Sequence, residues 1–100
     1  DYTFIDDIID GTVAAIERDA QGCAIYNLGG SRTTTLARLV ELVAAALGKA
    51  PQIDPQPDQP GDVPITCADL ALAGRDLGYA PKVPLEEGIG RFVAWFRALG

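Results

Sequence analysis

Apolar positions recur along this 100-residue chain with two different periods, and the alternation between them suggests the architecture. Leu36, Leu39, Val40, Val43, Ala44 and Leu47 fall at i, i+3, i+4, i+7, i+8 and i+11, one face of an amphipathic helix. Thr34 or Thr35 supplies its N-cap, and Gly48 with Pro51 just beyond supplies its stop. Ile5, Ile9, Val13 and Ile16 predict an earlier helix, capped by Asp6 or Asp7 and ending near Arg18. Asp69 is placed to cap a short helix that turns Leu70, Ala73 and Leu77 inward and ends at Gly78. A last helix starts near Pro84, with Glu86 and Glu87 at the positive end of its dipole. Its Leu85, Ile89, Phe92, Phe96 and Leu99 lie in one arc, which reads as core rather than as a cofactor box.

Two stretches carry the other period. Tyr2 to Ile5 alternates polar and apolar residues and reads as extended chain. Cys23 to Leu28 is a near-continuous apolar run ended by Gly29-Gly30, which suits a strand buried on both faces. With Gln52 to Asp54 as a second strand, residues 23–54 would form a βαβ unit with a right-handed crossover. The expected fold class is therefore α/β, about four helices with a small sheet containing that unit.

The stretch from Gln59 to Pro64 belongs to neither period. Two prolines and a glycine make it a rigid polar turn carrying one carboxylate, Asp62. Such a loop is either a connector with a solvated aspartate or a place where binding groups sit.

Composition removes several chemistries. With no histidine, a Ser-His-Asp triad has no base and zinc loses its commonest nitrogen ligand. Cys23 and Cys67 show no metal-ligand spacing and are expected to be free, buried thiols of a cytoplasmic protein. A net charge of −6 with no basic run argues against nucleic acid and anionic membranes, and Glu41 interrupts the best apolar stretch. No methionine is present and the sequence opens at Asp1, which reads as a piece of a longer protein. The Gly29-Gly30 loop lacks both the three spaced glycines of a dinucleotide fingerprint and the Gly-Lys-Ser/Thr of a P-loop, and reads as a strand-ending turn.

Five short motifs in order nevertheless carry a resemblance over essentially the whole chain. They are Asp1 to Ile8 with Gly11, Tyr26-Asn27-Leu28-Gly29, Gln59-Pro60-Gly61-Asp62-Val63 with Ala68-Asp69, Leu77-Gly78-Tyr79, and Leu85-Glu86-Glu87-Gly88. The series resembles the C-terminal part of the extended short-chain dehydrogenases, the nucleotide-sugar epimerases and dehydratases. Within that group it looks most like the nucleoside-diphosphate glucuronate 4-epimerases. The resemblance implies a sugar-nucleotide-binding lobe spanning residues 1–100. The resemblance further implies that this lobe is part of an enzyme that oxidises the sugar with NAD, rotates it and returns the hydride.

The family's Arg-Asp-Tyr motif contacts the diphosphate, and Asp1-Tyr2 match its last two residues. The family's loop before Gly-Asp contacts phosphate and ribose, which carries over onto Gln59 and Asp62. The implied substrate-binding residues are thus Tyr2, Gln59 and Asp62. Tyr2 would donate a hydroxyl to phosphate, and Asp62 would accept from ribose. The family's Tyr-x-x-x-Lys pair has no counterpart, so the chain is expected to bind no NAD, to be inactive alone, and to need a separate NAD-binding domain. An exposed docking face and self-association are expected with that. The alternative is an autonomous α/β interaction module without small-molecule function.

Overall fold

A computed structural model describes residues 1–100. Four helices form in the order α1 (Ile5–Glu17), α2 (Leu36–Leu47), α3 (Ala71–Leu77) and α4 (Leu85–Ala98). Helix α2 packs against α4, and α1 against α3. The helix ends obey local chemistry. The Thr35 hydroxyl oxygen accepts from the Arg38 amide at 3.1 Å, whereas Asp69 is not the cap of α3: Leu70 holds that position, and Asp69, one residue earlier, accepts from the Ala71 amide at 3.0 Å. Gly48 and Gly78 close α2 and α3 in the left-handed region, at φ 68° and 64°.

There are no strands. The expected α/β class and its βαβ sheet are therefore corrected to an all-helical fold. Residues 23–28 belong to no regular element, since a strand exists only through a neighbour that completes its ladder. No backbone-to-backbone hydrogen bond engages any residue from 21 to 34. The run meant for a doubly buried strand is largely open, with Ile25 82% exposed. Tyr26 anchors it instead, donating its hydroxyl to Asp76 Oδ2 at 3.0 Å.

Helix α1 presents the opposite face to the one its large apolar residues predict. Ile5, Ile9, Val13 and Ile16 are all exposed, while Asp7 and Gly11 are buried. Leu28 and Tyr79 lie directly over Gly11, where an added Cβ would come within 2.7–3.0 Å of them, so a side chain there would force the Leu28 methyls to shift. Asp7 is no N-cap. Phe4 occupies that position, and the Asp7 carboxylate reaches inward to accept from the amides of Lys82 (2.9 Å) and Val83 (3.1 Å).

Only Ala73, Tyr79, Ile89 and Val93 form the buried apolar core. Phe92, Phe96 and Leu99 of the predicted α4 stripe remain exposed, and Gly88 is where Phe4 packs closely on that helix. Both cysteines are free as expected, but both are exposed rather than buried. The radius of gyration is 16.4 Å, against about 13 Å for a compact domain of this length. The accessible surface is 7729 Å² for a 10.5 kDa chain, which exceeds the roughly 5,400 Å² of a compact monomer of that mass by about 2,300 Å². No helix is long and apolar enough to cross a membrane.

Candidate functional site

Asp1 joins three segments far apart in sequence. Its Oδ1 accepts from the Gly30 amide, and its Oδ2 from the amides of Ser31 and Ala68, each at 2.9 Å. Gly29 is needed where these segments meet, since a Cβ there would lie 2.7 Å from the Ala68 Cβ. The Gly29 carbonyl in turn accepts from the buried Tyr79 hydroxyl at 2.7 Å. Burial raises the Tyr79 phenol above its ordinary range, with the nearby Asp7 charge adding to the effect. Ser31 then turns through φ 55°, the only non-glycine residue of the chain in the left-handed region. A locked loop results, and Tyr2 stands beside it.

Tyr2, Thr33 and Thr34 form a shared wall between two clefts. One, of about 580 Å³, is bounded by the start of α2 and the segment Asp62 to Thr66, with Asp58 alongside. Asp62 gets there through the turn that the prolines predicted. Its amide donates to the Gln59 carbonyl at 3.2 Å, with Pro60 second and Gly61 at φ 83° third, the pattern of a type II turn. The other cleft, of about 400 Å³, lies between the loop Gly30 to Thr34 and the segment Pro81 to Glu86. Asp7 holds the latter wall through the two amide bonds above.

Of the three residues implied as substrate-binding, Tyr2 and Asp62 therefore share a cleft, while Gln59 does not line it. Residues that sequence reasoning passed over also come into view. Asp1 organises the loop, and Arg32 and Lys82 both open onto the smaller cleft. In sequence Lys49 is the cation nearest the Asp62 turn, but it lines neither cleft. Fifty positions separate Arg32 from Lys82, so no local motif could have paired them.

A second polar cluster ties residue 26 to α3. Asp76 accepts from Tyr26 and from Arg75 Nε at 2.9 Å, with Arg18 at 3.6 Å. The Arg75 hydrogen bond holds the Asp76 carboxyl below the usual carboxylate range, while burial pushes the Tyr26 phenol up. Every member is occupied by another, so the cluster reads as structural.

The fold is similar to that of the C-terminal portion of NAD-dependent nucleotide-sugar 4-epimerases of the short-chain dehydrogenase type. Within that class the homologues are UDP-glucuronate 4-epimerases. UDP-glucuronate 4-epimerase 6 of Arabidopsis thaliana is 35% identical over 109 aligned positions, covering 96% of this chain and 24% of the relative. An uncharacterised protein of Methanocaldococcus jannaschii is 43% identical over 96 residues, covering 96% of this chain and 29% of the relative. Among solved structures, the UDP-glucuronic acid 4-epimerase of Bacillus cereus, in complex with UDP-glucuronic acid and NAD, superposes with a TM-score of 0.89 at 30% identity. That match covers all of this chain and 32% of the other. No family model matches. The chain thus spans about a quarter to a third of the length of the proteins it resembles.

Proposed function

We propose that this chain is the substrate-facing lobe of a UDP-sugar 4-epimerase and does not turn substrate over alone. The observation that carries the reading is Tyr2 and Asp62 on one cleft of a chain that aligns with such epimerases along almost its whole length. The Tyr2 hydroxyl donates to a phosphate oxygen, and the Asp62 carboxylate accepts from sugar hydroxyls. Gln59 acts through the turn, since its carbonyl accepts from the Asp62 amide.

The epimerase neighbours bind NAD, but the residues here do not fit its pyrophosphate. The one glycine loop that precedes a helix has its Gly30 and Ser31 amides committed to the Asp1 carboxylate. A cradle for phosphate needs such amides free. The hydride chemistry therefore belongs to a separate NAD-binding domain of the parent enzyme. The exposed faces of α1 (Ile5, Ile9, Val13, Ile16) and α4 (Phe92, Trp95, Phe96) fit docking against such a domain. The excess surface is of the size that one side of a large permanent interface supplies.

Titrating the chain with UDP-glucuronate while following backbone amide shifts tests this. Shifts at Tyr2 and Asp62 that saturate near the millimolar range, and weaken in Asp62→Ala, are expected. The same chain should show no NAD binding by calorimetry and no epimerised product. An Asp62→Ala change without effect on the titration, or turnover by the chain alone, would refute the assignment.

A further inference from the structure

Tyr2 makes no hydrogen bond of its own within the chain, so its neighbours must fix it. On one side the Asp1 carboxylate takes the Gly30, Ser31 and Ala68 amides. On the other, the Thr3 hydroxyl donates back to Asp1 Oδ1 at 3.4 Å. Between the two, the Tyr2 carbonyl lies against Gly30, 3.6 Å from where a Cβ would stand. The place of Tyr2 is therefore set by the course of the backbone at residues 29–31. That backbone is fixed from the core by Tyr79, which is 7% exposed and lines neither cleft. The Tyr79 amide donates to the Ala73 carbonyl at 3.3 Å, and its ring packs over Gly11 of α1. Its hydroxyl then donates to the Gly29 carbonyl at 2.7 Å. Gly29 has no slack to absorb a shift, since a Cβ there would lie 2.7 Å from the Ala68 Cβ and 3.0 Å from Asp1 Oδ2. A displaced Gly29 displaces the Asp1 carboxylate with it.

Resting on the nucleotide-sugar reading, we propose that Tyr79 is a positioning residue for the site: through Gly29 and the Asp1 clamp it holds the Tyr2 hydroxyl where a ligand meets it. Tyr79 touches no ligand itself. A hydroxyl already set in its bound position spares the ligand the cost of ordering it, and that saving appears as affinity. If the Tyr79 hydroxyl merely satisfied a buried carbonyl, its loss would lower stability and leave affinity alone.

Tyr79→Phe keeps the ring over Gly11 and removes only the hydroxyl. In the free chain it should move the amide resonances of Gly29 to Ser31 and of Tyr2. Its affinity for UDP-glucuronate, read from backbone amide shifts, should fall about three- to tenfold, the span of coupling within one hydrogen-bonded network. In a Tyr2→Phe background the same change should cost nothing further, whereas in an Asp62→Ala background the loss should persist. Tyr26→Phe strips the hydroxyl from the tyrosine bonded to Asp76, away from the clamp. It should lower the urea midpoint and leave affinity unchanged. Asp1→Asn loosens the clamp beside the site rather than in the core, and should lower affinity as Tyr79→Phe does; unaltered affinity there overturns the inference. So does an unmoved Tyr2 amide in Tyr79→Phe, or an equal loss of affinity with and without the Tyr2 hydroxyl. A Tyr2 amide that moves in a chain binding no UDP-glucuronate supports the clamp and removes the nucleotide-sugar reading.

Discussion

Removing the Asp7 carboxylate should loosen one wall of the site from the helix that positions it. Asp7 is 2% exposed, and its two oxygens are the acceptors for the Lys82 and Val83 amides. In Asp7→Ala those part-buried amides lose their acceptors. An unsatisfied fully buried donor costs about 1–3 kcal/mol, so this part-buried pair costs at most about 2–6 kcal/mol. A chain of this length has about 5–15 kcal/mol in total, so the change consumes a large fraction. Asp7→Asn keeps one accepting oxygen and should cost about half as much. Amide hydrogen exchange followed by NMR reads the effect where it occurs. Exchange at Lys82 and Val83 should speed up about tenfold for every 1.4 kcal/mol lost, more in the alanine variant than in the asparagine one. Unchanged exchange at both amides in Asp7→Ala would show that the carboxylate does not hold the segment.

Gly29→Ala should destabilise by about 1–3 kcal/mol, because the Ala68 Cβ 2.7 Å from the new methyl has no rotamer to move into. Its mark is a displaced Ala68 amide resonance, and an unperturbed one would count against the packing described. Asp76, with its pKa lowered chiefly by Arg75, contributes stability that is present at neutral pH and lost as pH falls through that lowered value, below about pH 3.9. Asp76→Asn should remove that part of the acid dependence in circular dichroism, and an unaltered acid profile would contradict it. Finally, the bare faces of α1 and α4 should drive association at millimolar concentration with binding of a hydrophobic dye. A strictly monomeric, dye-free chain in sedimentation would refute this.

What could be read from the residues divides along the range of the forces involved. The Thr35 cap, the Gly48 and Gly78 stops and the span of α2 were legible because each depends on neighbours within one helical turn. The turn at Asp62 was legible for the same reason, since Pro60 and Gly61 dictate their own backbone angles. Strand formation at residues 23–28 was misjudged because apolar character invites a ladder but cannot provide its other half. The inward face of α1 was misjudged because Ile5, Ile9, Val13 and Ile16 have the right spacing but no cover, while Asp7 and Gly11 are recruited by residues 28, 79, 82 and 83. The anchoring role of Asp1 was equally hidden, since its acceptors serve amides 29 to 67 positions away. Motif order indicated the Tyr2–Asp62 pairing, but the Arg32–Lys82 cleft is a product of folding alone.

The openness of the molecule has a thermodynamic consequence for how it unfolds. Sensitivity to denaturant and the heat capacity of unfolding both scale with newly exposed area. An unfolded chain of 10.5 kDa exposes about 15,000 Å², so unfolding from 7729 Å² uncovers about three quarters of what a compact domain of this mass would. The slope of free energy against urea should be shallower in the same proportion, and the melting transition broader. Covering α1 and α4 with a docked domain would restore the missing steepness, turning a gradual transition into a sharp one without altering any contact inside the chain.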